Sequence, residues 1–206
     1  MSPVTIIILR LVAPLLILRF PLIGVAICTY LDWVDFSIIG GWANYQEVDK
    51  ILDLYYLAFC LAVVFQWKDR LAKRLAVGLF VFRAIGVVVL TVFQQEWIAF
   101  AFPNVFEPFF IFYMLYVRLT GSTLMLKARS RLLLIIPTLL GLKLYHEGIL
   151  HLVLPLPVVT ASLIDALRWT QPIMCLIAVL PAVGVLAWLV VQDRKPGSFG
   201  QGRWLK

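Results

Sequence analysis

Charge is what this chain has least of. Of its 206 residues 14% are Asp, Glu, Lys or Arg, where about 25% is usual for a soluble domain. Acids are scarcer than bases, eleven against eighteen, and there are two histidines. Three cysteines, Cys28, Cys60 and Cys175, stand far apart in apolar runs. That excludes a disulfide framework and a CxxC zinc site, and reads as small buried side chains. Glycine and proline number 12 and 11 without a period, so the chain is neither collagen-like nor a low-complexity linker.

What is abundant is apolar: 63% of residues are hydrophobic and the mean hydropathy is +0.97. A helix needs about 20 apolar residues to cross a bilayer. Six stretches qualify: Val4–Cys28, Val48–Phe65, Leu75–Phe93, Ile98–Val117, Leu132–Leu154 and Pro172–Val191. They predict an all-α polytopic membrane protein, a bundle of about six transmembrane helices. The first stretch lacks a charged n-region and a small-residue cleavage site, so it is expected to persist as a span. Residues 1–192 read as one transmembrane domain and 193–206 as a flexible cytoplasmic tail.

Orientation follows from the bases. Twelve of the eighteen fall in three regions: Lys68, Arg70, Lys73 and Arg74; Arg118, Lys127, Arg129 and Arg131; Arg194, Lys195, Arg203 and Lys206. With six spans these regions share one face, and the positive-inside rule makes it cytoplasmic. Both termini are then expected on that face, in a multi-pass protein of a bacterial-type plasma membrane. The same distribution argues for lipid rather than nucleic acid as the partner of the +7 charge. Acids segregate oppositely: only Asp69 and Asp193 fall in the basic loops.

The densest polar cluster is LDWVDFSIIGGWANYQEVDKILDLYY, residues 31–56. Asp32 and Asp35 are three apart, and Asp49 and Asp53 four apart, so each pair shares a helical face. Like charges so placed need compensation from a divalent cation, from Lys50, from an arginine on another helix or from a retained proton. Hard oxygen ligands suit Mg²⁺, Mn²⁺ or Ca²⁺. Solvated loop acids with one or two structural ion pairs are the plainer reading.

DxxD followed by DxxxD on consecutive helices resembles the signature of the CDP-alcohol phosphatidyltransferases. The resemblance implies a six-helix membrane enzyme that joins a phosphatidyl-type group to an alcohol with two divalent ions. It implies Asp32, Asp35 and Asp49 as ligands to Mg²⁺ or Mn²⁺, and Asp53 as ligand and general base. Phe36 stands where that family has Gly, Ile39 and Gly40 where it has Ala-Arg, and Tyr45 where it has another Gly.

Three further features bear on chemistry. In KLYHEGILH, residues 143–151, Lys143, Glu147 and His151 form one helical stripe with His146 beside it. H-E-x-x-x-H is one residue too long for a zincin; Glu147 and His151 read as auxiliary acid or base, and Lys143 and His146 as substrate contacts. In FPNVFEPFF, residues 102–110, Pro103 and Pro108 break helix hydrogen bonding and free carbonyls, with Asn104 and Glu107 on one face. Arg10 and Arg83 lie near the centres of their spans, where an arginine costs at least about 2.5–3.5 kcal/mol. Each needs a carboxylate or a lipid phosphate.

Two function classes follow. One is a metal-dependent enzyme of lipid or polyprenyl phosphate metabolism, with Asp32, Asp35, Asp49 and Asp53 on the metal and Arg83, Asn104, Glu107, Lys143 and His146 around the substrate. The other is a non-catalytic membrane protein (transporter, assembly factor or accessory subunit) whose buried charges are internal ion pairs.

Overall fold

The first apolar stretch does not form one helix. In the computed structural model, which describes residues 3–39, 45–93, 95, 97–126, 129–148 and 178–194, it is divided among α1 (Pro3–Val12), α2 (Leu15–Arg19) and the first half of α3 (Pro21–Ile39). Pro14 and Pro21 cause the breaks. Each lacks the N–H that the helix ladder requires, and Pro21 is placed at the first position of α3, where that loss costs nothing.

The breaks turn the chain back on itself. Arg10 of α1 bonds Asp32, 22 residues further on, whereas a straight helix would hold them about 33 Å apart. Ile17 of α2 lies against the start of α3, where a Cβ on Gly24 would stand 2.5 Å from the Ile17 nitrogen. Early α3 thus meets α2 and late α3 meets α1, so the kinked α1–α2 arm runs antiparallel to α3. Its buried positions Ile6, Arg10, Ala13 and Ile17 recur at three and four residues, the inner stripe of a helix.

The remaining elements are α4 (Tyr45–Val64), α5 (Arg70–Phe93), α6 (Trp97–Ala101), α7 (Phe106–Thr120), α8 (Arg129–Gly148) and α9 (Ala178–Asp193). All regular structure among the described residues is helical. The expected span from Ile98 is interrupted at residues 102–105 between α6 and α7, as its prolines require. α7 is the core helix and packs on α3, α4, α5 and α8. Phe106, Phe109, Phe110, Tyr113, Met114 and Tyr116 on it are buried. Trp67, just after α4, joins this core; its ring stacks 3.8 Å from that of Tyr113. α7 stops at Gly121, whose φ of 67° suits a left-handed cap and lets its N–H bond the Val117 carbonyl at 2.9 Å.

Side chains point apolar groups outward on several helices. α5 is long and apolar enough to cross a membrane, with 22% of its most apolar window buried. Val81, Ile85, Val88 and Val92 are exposed along it, while Ala72, Ala76, Arg83 and Val87 form its buried stripe. By the same criterion α5 is the one such helix among the described residues.

Candidate polar hub

The four aspartates of residues 31–56 meet, and they meet around Arg10. The α1–α2 arm delivers the guanidinium, late α3 delivers Asp32 and Asp35, and the first turns of α4 deliver Asp49 and Asp53. Arg10 Nη2 donates to Asp32 Oδ1 at 2.8 Å and Asp53 Oδ1 at 3.0 Å. Nη1 donates to Asp49 Oδ1 at 3.0 Å and to Asp35 Oδ2. Lys50 Nζ binds Asp49 Oδ2 at 2.8 Å and stands 3.9 Å from Asp53 Oδ2. Arg10, Asp35, Asp49 and Asp53 are buried; the Asp32 side chain is 36% exposed and is the hub's opening.

The charge does not balance. Four carboxylates contact one guanidinium and one ammonium, leaving a formal excess of two negative charges. Removing carboxylates from water costs several kcal/mol each unless they are paired, so this excess calls for protons or a cation. Ligand oxygens of Asp32, Asp49 and Asp53 all lie within 4.8 Å of one another. That spacing fits one hard cation, whose opposite ligands stand roughly 4–5 Å apart. One oxygen of each is bound to Arg10; the second oxygen of Asp49 is held by Lys50 and that of Asp53 stands 3.9 Å from the same ammonium, so an ion there would have to displace Lys50.

A second polar group gathers around Glu107. Asn104, buried in the break before α7, accepts from the Glu107 N–H at 3.3 Å and donates through Nδ2 to Glu107 Oε2 at 3.0 Å. Thr29 of α3 donates to Glu107 Oε1 at 2.9 Å. Tyr56 of α4 is buried. Arg83 donates to the Phe102 carbonyl at 3.0 Å, the backbone acceptor that the break leaves open.

Residues read from the sequence as one site are thus distributed. Asp32, Asp35, Asp49 and Asp53 share one centre; Asn104 and Glu107 form their own pair; Arg83 faces the break. Lys143 is half-buried on α8. His146 and Glu147 are in the last turn of α8, but their side chains, like the whole of His151, lie outside the described residues. A cleft of about 390 Å³ between α8 and α9, lined by Pro137, Thr138, Gly141, Leu142, Tyr145 and Pro181, holds none of these groups.

Sequence reasoning named Arg10 as needing carboxylates without placing it at the centre. An arginine inside a proline-broken apolar stretch was the available signal. Asp69 was read as a loop acid, yet it is buried and structural. Its Oδ1 caps α5 through Leu71 and Ala72 N–H at 3.1 and 3.0 Å, and its Oδ2 accepts from Leu126 N–H at 3.0 Å.

No protein-family model, curated protein or solved structure matches the chain. The likeness to CDP-alcohol phosphatidyltransferases is therefore carried by the four aspartates alone.

Proposed function

We propose that the chain is a multi-pass membrane protein whose hub binds a divalent cation, in the manner of a lipid phosphotransferase. The observation that carries this reading is the uncompensated charge. With the charges of Arg10 and Lys50 counted, one divalent ion on Asp32, Asp49 and Asp53 brings the centre to neutrality. Mg²⁺ or Mn²⁺ so held would polarise a phosphoryl oxygen. Asp53 would be the base toward a hydroxyl, and membrane lipid would supply the amphiphile.

The outward apolar faces and the placement of bases support the membrane assignment. The α1–α2 arm adds one more membrane-embedded segment to the six expected. Oriented by the positive-inside rule, its Arg19 end joins the three basic regions, and residue 3 stands on the opposite face with the hub. On this reading the N-terminal segment would stand on the hub's face rather than on the cytoplasmic face expected above, and the hub would face the side where nucleotide-activated alcohols are absent. The amphiphile is accordingly a lipid-linked phosphate rather than a CDP-alcohol. Labelling cysteines introduced at Thr5 and Ser37 from outside intact cells tests this. Protection of both would return the hub to the cytoplasm.

Thermal unfolding in detergent, with and without Mg²⁺, Mn²⁺ or Ca²⁺, tests the cation. Wild type is expected to gain several degrees and Asp53→Asn to gain little. The second reading, a purely structural hub, is favoured by Arg10, whose terminal nitrogens already engage all four aspartates. Under it neither protein responds to metal.

A further inference from the structure

Arg83 is the least satisfied charge among the described residues. It belongs to the buried stripe of α5 and is 4% exposed, midway along a helix able to cross a membrane. Its one hydrogen bond goes to a backbone carbonyl, Phe102, and no carboxylate lies within ion-pair distance among the described residues. Its Nε–H is buried without an acceptor. A guanidinium normally uses its planar fork on two oxygens of one anion, and here the Nε side of the fork has no acceptor.

The neighbourhood explains why no internal acid fills it. Asp53, whose charge acts on Arg83, is committed to Arg10 at 3.0 Å and faces Lys50 at 3.9 Å. Gly86, one turn beyond Arg83, lets the chain at Phe102 approach so closely that any Cβ there would run into the Phe102 side chain. The break at residues 102–105 is thereby held against the guanidinium. Val81, Ile85 and Val88, on the opposite face of α5, are exposed and apolar.

We propose that Arg83 is an anion subsite that takes the phosphate of a phosphorylated amphiphile, with the Phe102–Asn104 break as its wall. This deepens the lipid-phosphate reading and rests on α5 lying in the membrane, but it requires no metal. Phosphate oxygens would accept from Nε and a terminal nitrogen of Arg83.

The test uses the full chain in detergent, in buffer with chelator, titrated with dioctanoyl phosphatidic acid, dioctanoylglycerol or inorganic phosphate and followed by native mass spectrometry and thermal shift. Phosphatidic acid is expected to bind wild type and the phosphate-free glyceride not. Arg83→Gln should weaken phosphatidic acid roughly tenfold or more, as loss of a charge-assisted pair predicts. Arg83→Lys, which keeps the charge and protects the fold but removes the fork, should weaken it roughly threefold or more. Arg83-dependent binding of inorganic phosphate alone would uphold the subsite and make its ligand a soluble phosphate. Equal binding by wild type and Arg83→Lys, or no binding of either phosphate, overturns the proposal. A metal response that fails while Arg83-dependent binding persists would remove the cation reading and leave this one.

Discussion

The two ends of the bundle handle buried charge differently. At the basic end each buried acid is matched. Asp69 accepts three backbone N–H groups. Asp193 of α9 takes Arg131 of α8, with a second contact at 3.1 Å, and the Tyr116 hydroxyl of α7 at 2.5 Å. At the acidic end, four carboxylates share one guanidinium and one ammonium. Matched charges tie helices together and leave nothing over. Unmatched ones cost stability until something binds, and that is where a ligand is to be sought.

The comparison can be broken most directly at Arg10. Arg10→Gln leaves the carboxylates facing Lys50 alone, with an expected loss of about 3–5 kcal/mol on removal of one partner of a buried pair. Denaturant unfolding in detergent would measure it. Millimolar Mg²⁺ or Ca²⁺ should return part of the loss, because the hub then carries three excess charges. An Arg10→Gln protein as stable as wild type in chelator would mean that the hub is already neutral. At the other end, Asp69→Ala removes a helix cap and orphans the Leu126 N–H. The expected cost is about 2–3 kcal/mol, and it should be the same with and without divalent ions; a cation-dependent cost would erase the contrast between the ends.

Asp193→Asn keeps the shape of the α7–α8–α9 contact and removes its charge. It should lower stability by about 1–2 kcal/mol, again independently of metal, as read from thermal unfolding. The smallest effect is expected at Tyr55, whose hydroxyl donates to the Leu11 carbonyl at 3.1 Å on the exposed side of the arm. Tyr55→Phe should cost no more than about 1 kcal/mol while loosening α1, seen as faster amide exchange over residues 3–12. Unchanged exchange there would show that Arg10 alone holds the arm.

Much of this was legible in the order of residues. Spacing put Asp49 and Asp53 on one face and Asp32 beside Asp35, and two mid-span arginines announced that partners must exist. Pro103 announced the break that Asn104 caps. The path of the first 28 residues was not legible, because hydropathy is blind to direction and Val4–Cys28 is apolar throughout. Pro14 and Pro21 marked places where the helix could bend; the tertiary contacts of Arg10 and Ile17 set the sense of the bend. Asp69 was equally hidden, since a cap to its own helix is a local signal but its bond to Leu126 joins positions 57 residues apart.

Composition and periodicity alone determined that the chain is helical and apolar, with most of its bases in short polar stretches between apolar runs. These follow from side-chain transfer energies, which belong to each residue wherever it sits. Only the tertiary structure decided that Arg10 rather than Lys50 is the centre of the aspartates and that Arg83 has no carboxylate within ion-pair distance among the described residues. Pairing is a matter of distance, and distance between remote residues is set by how the helices pack.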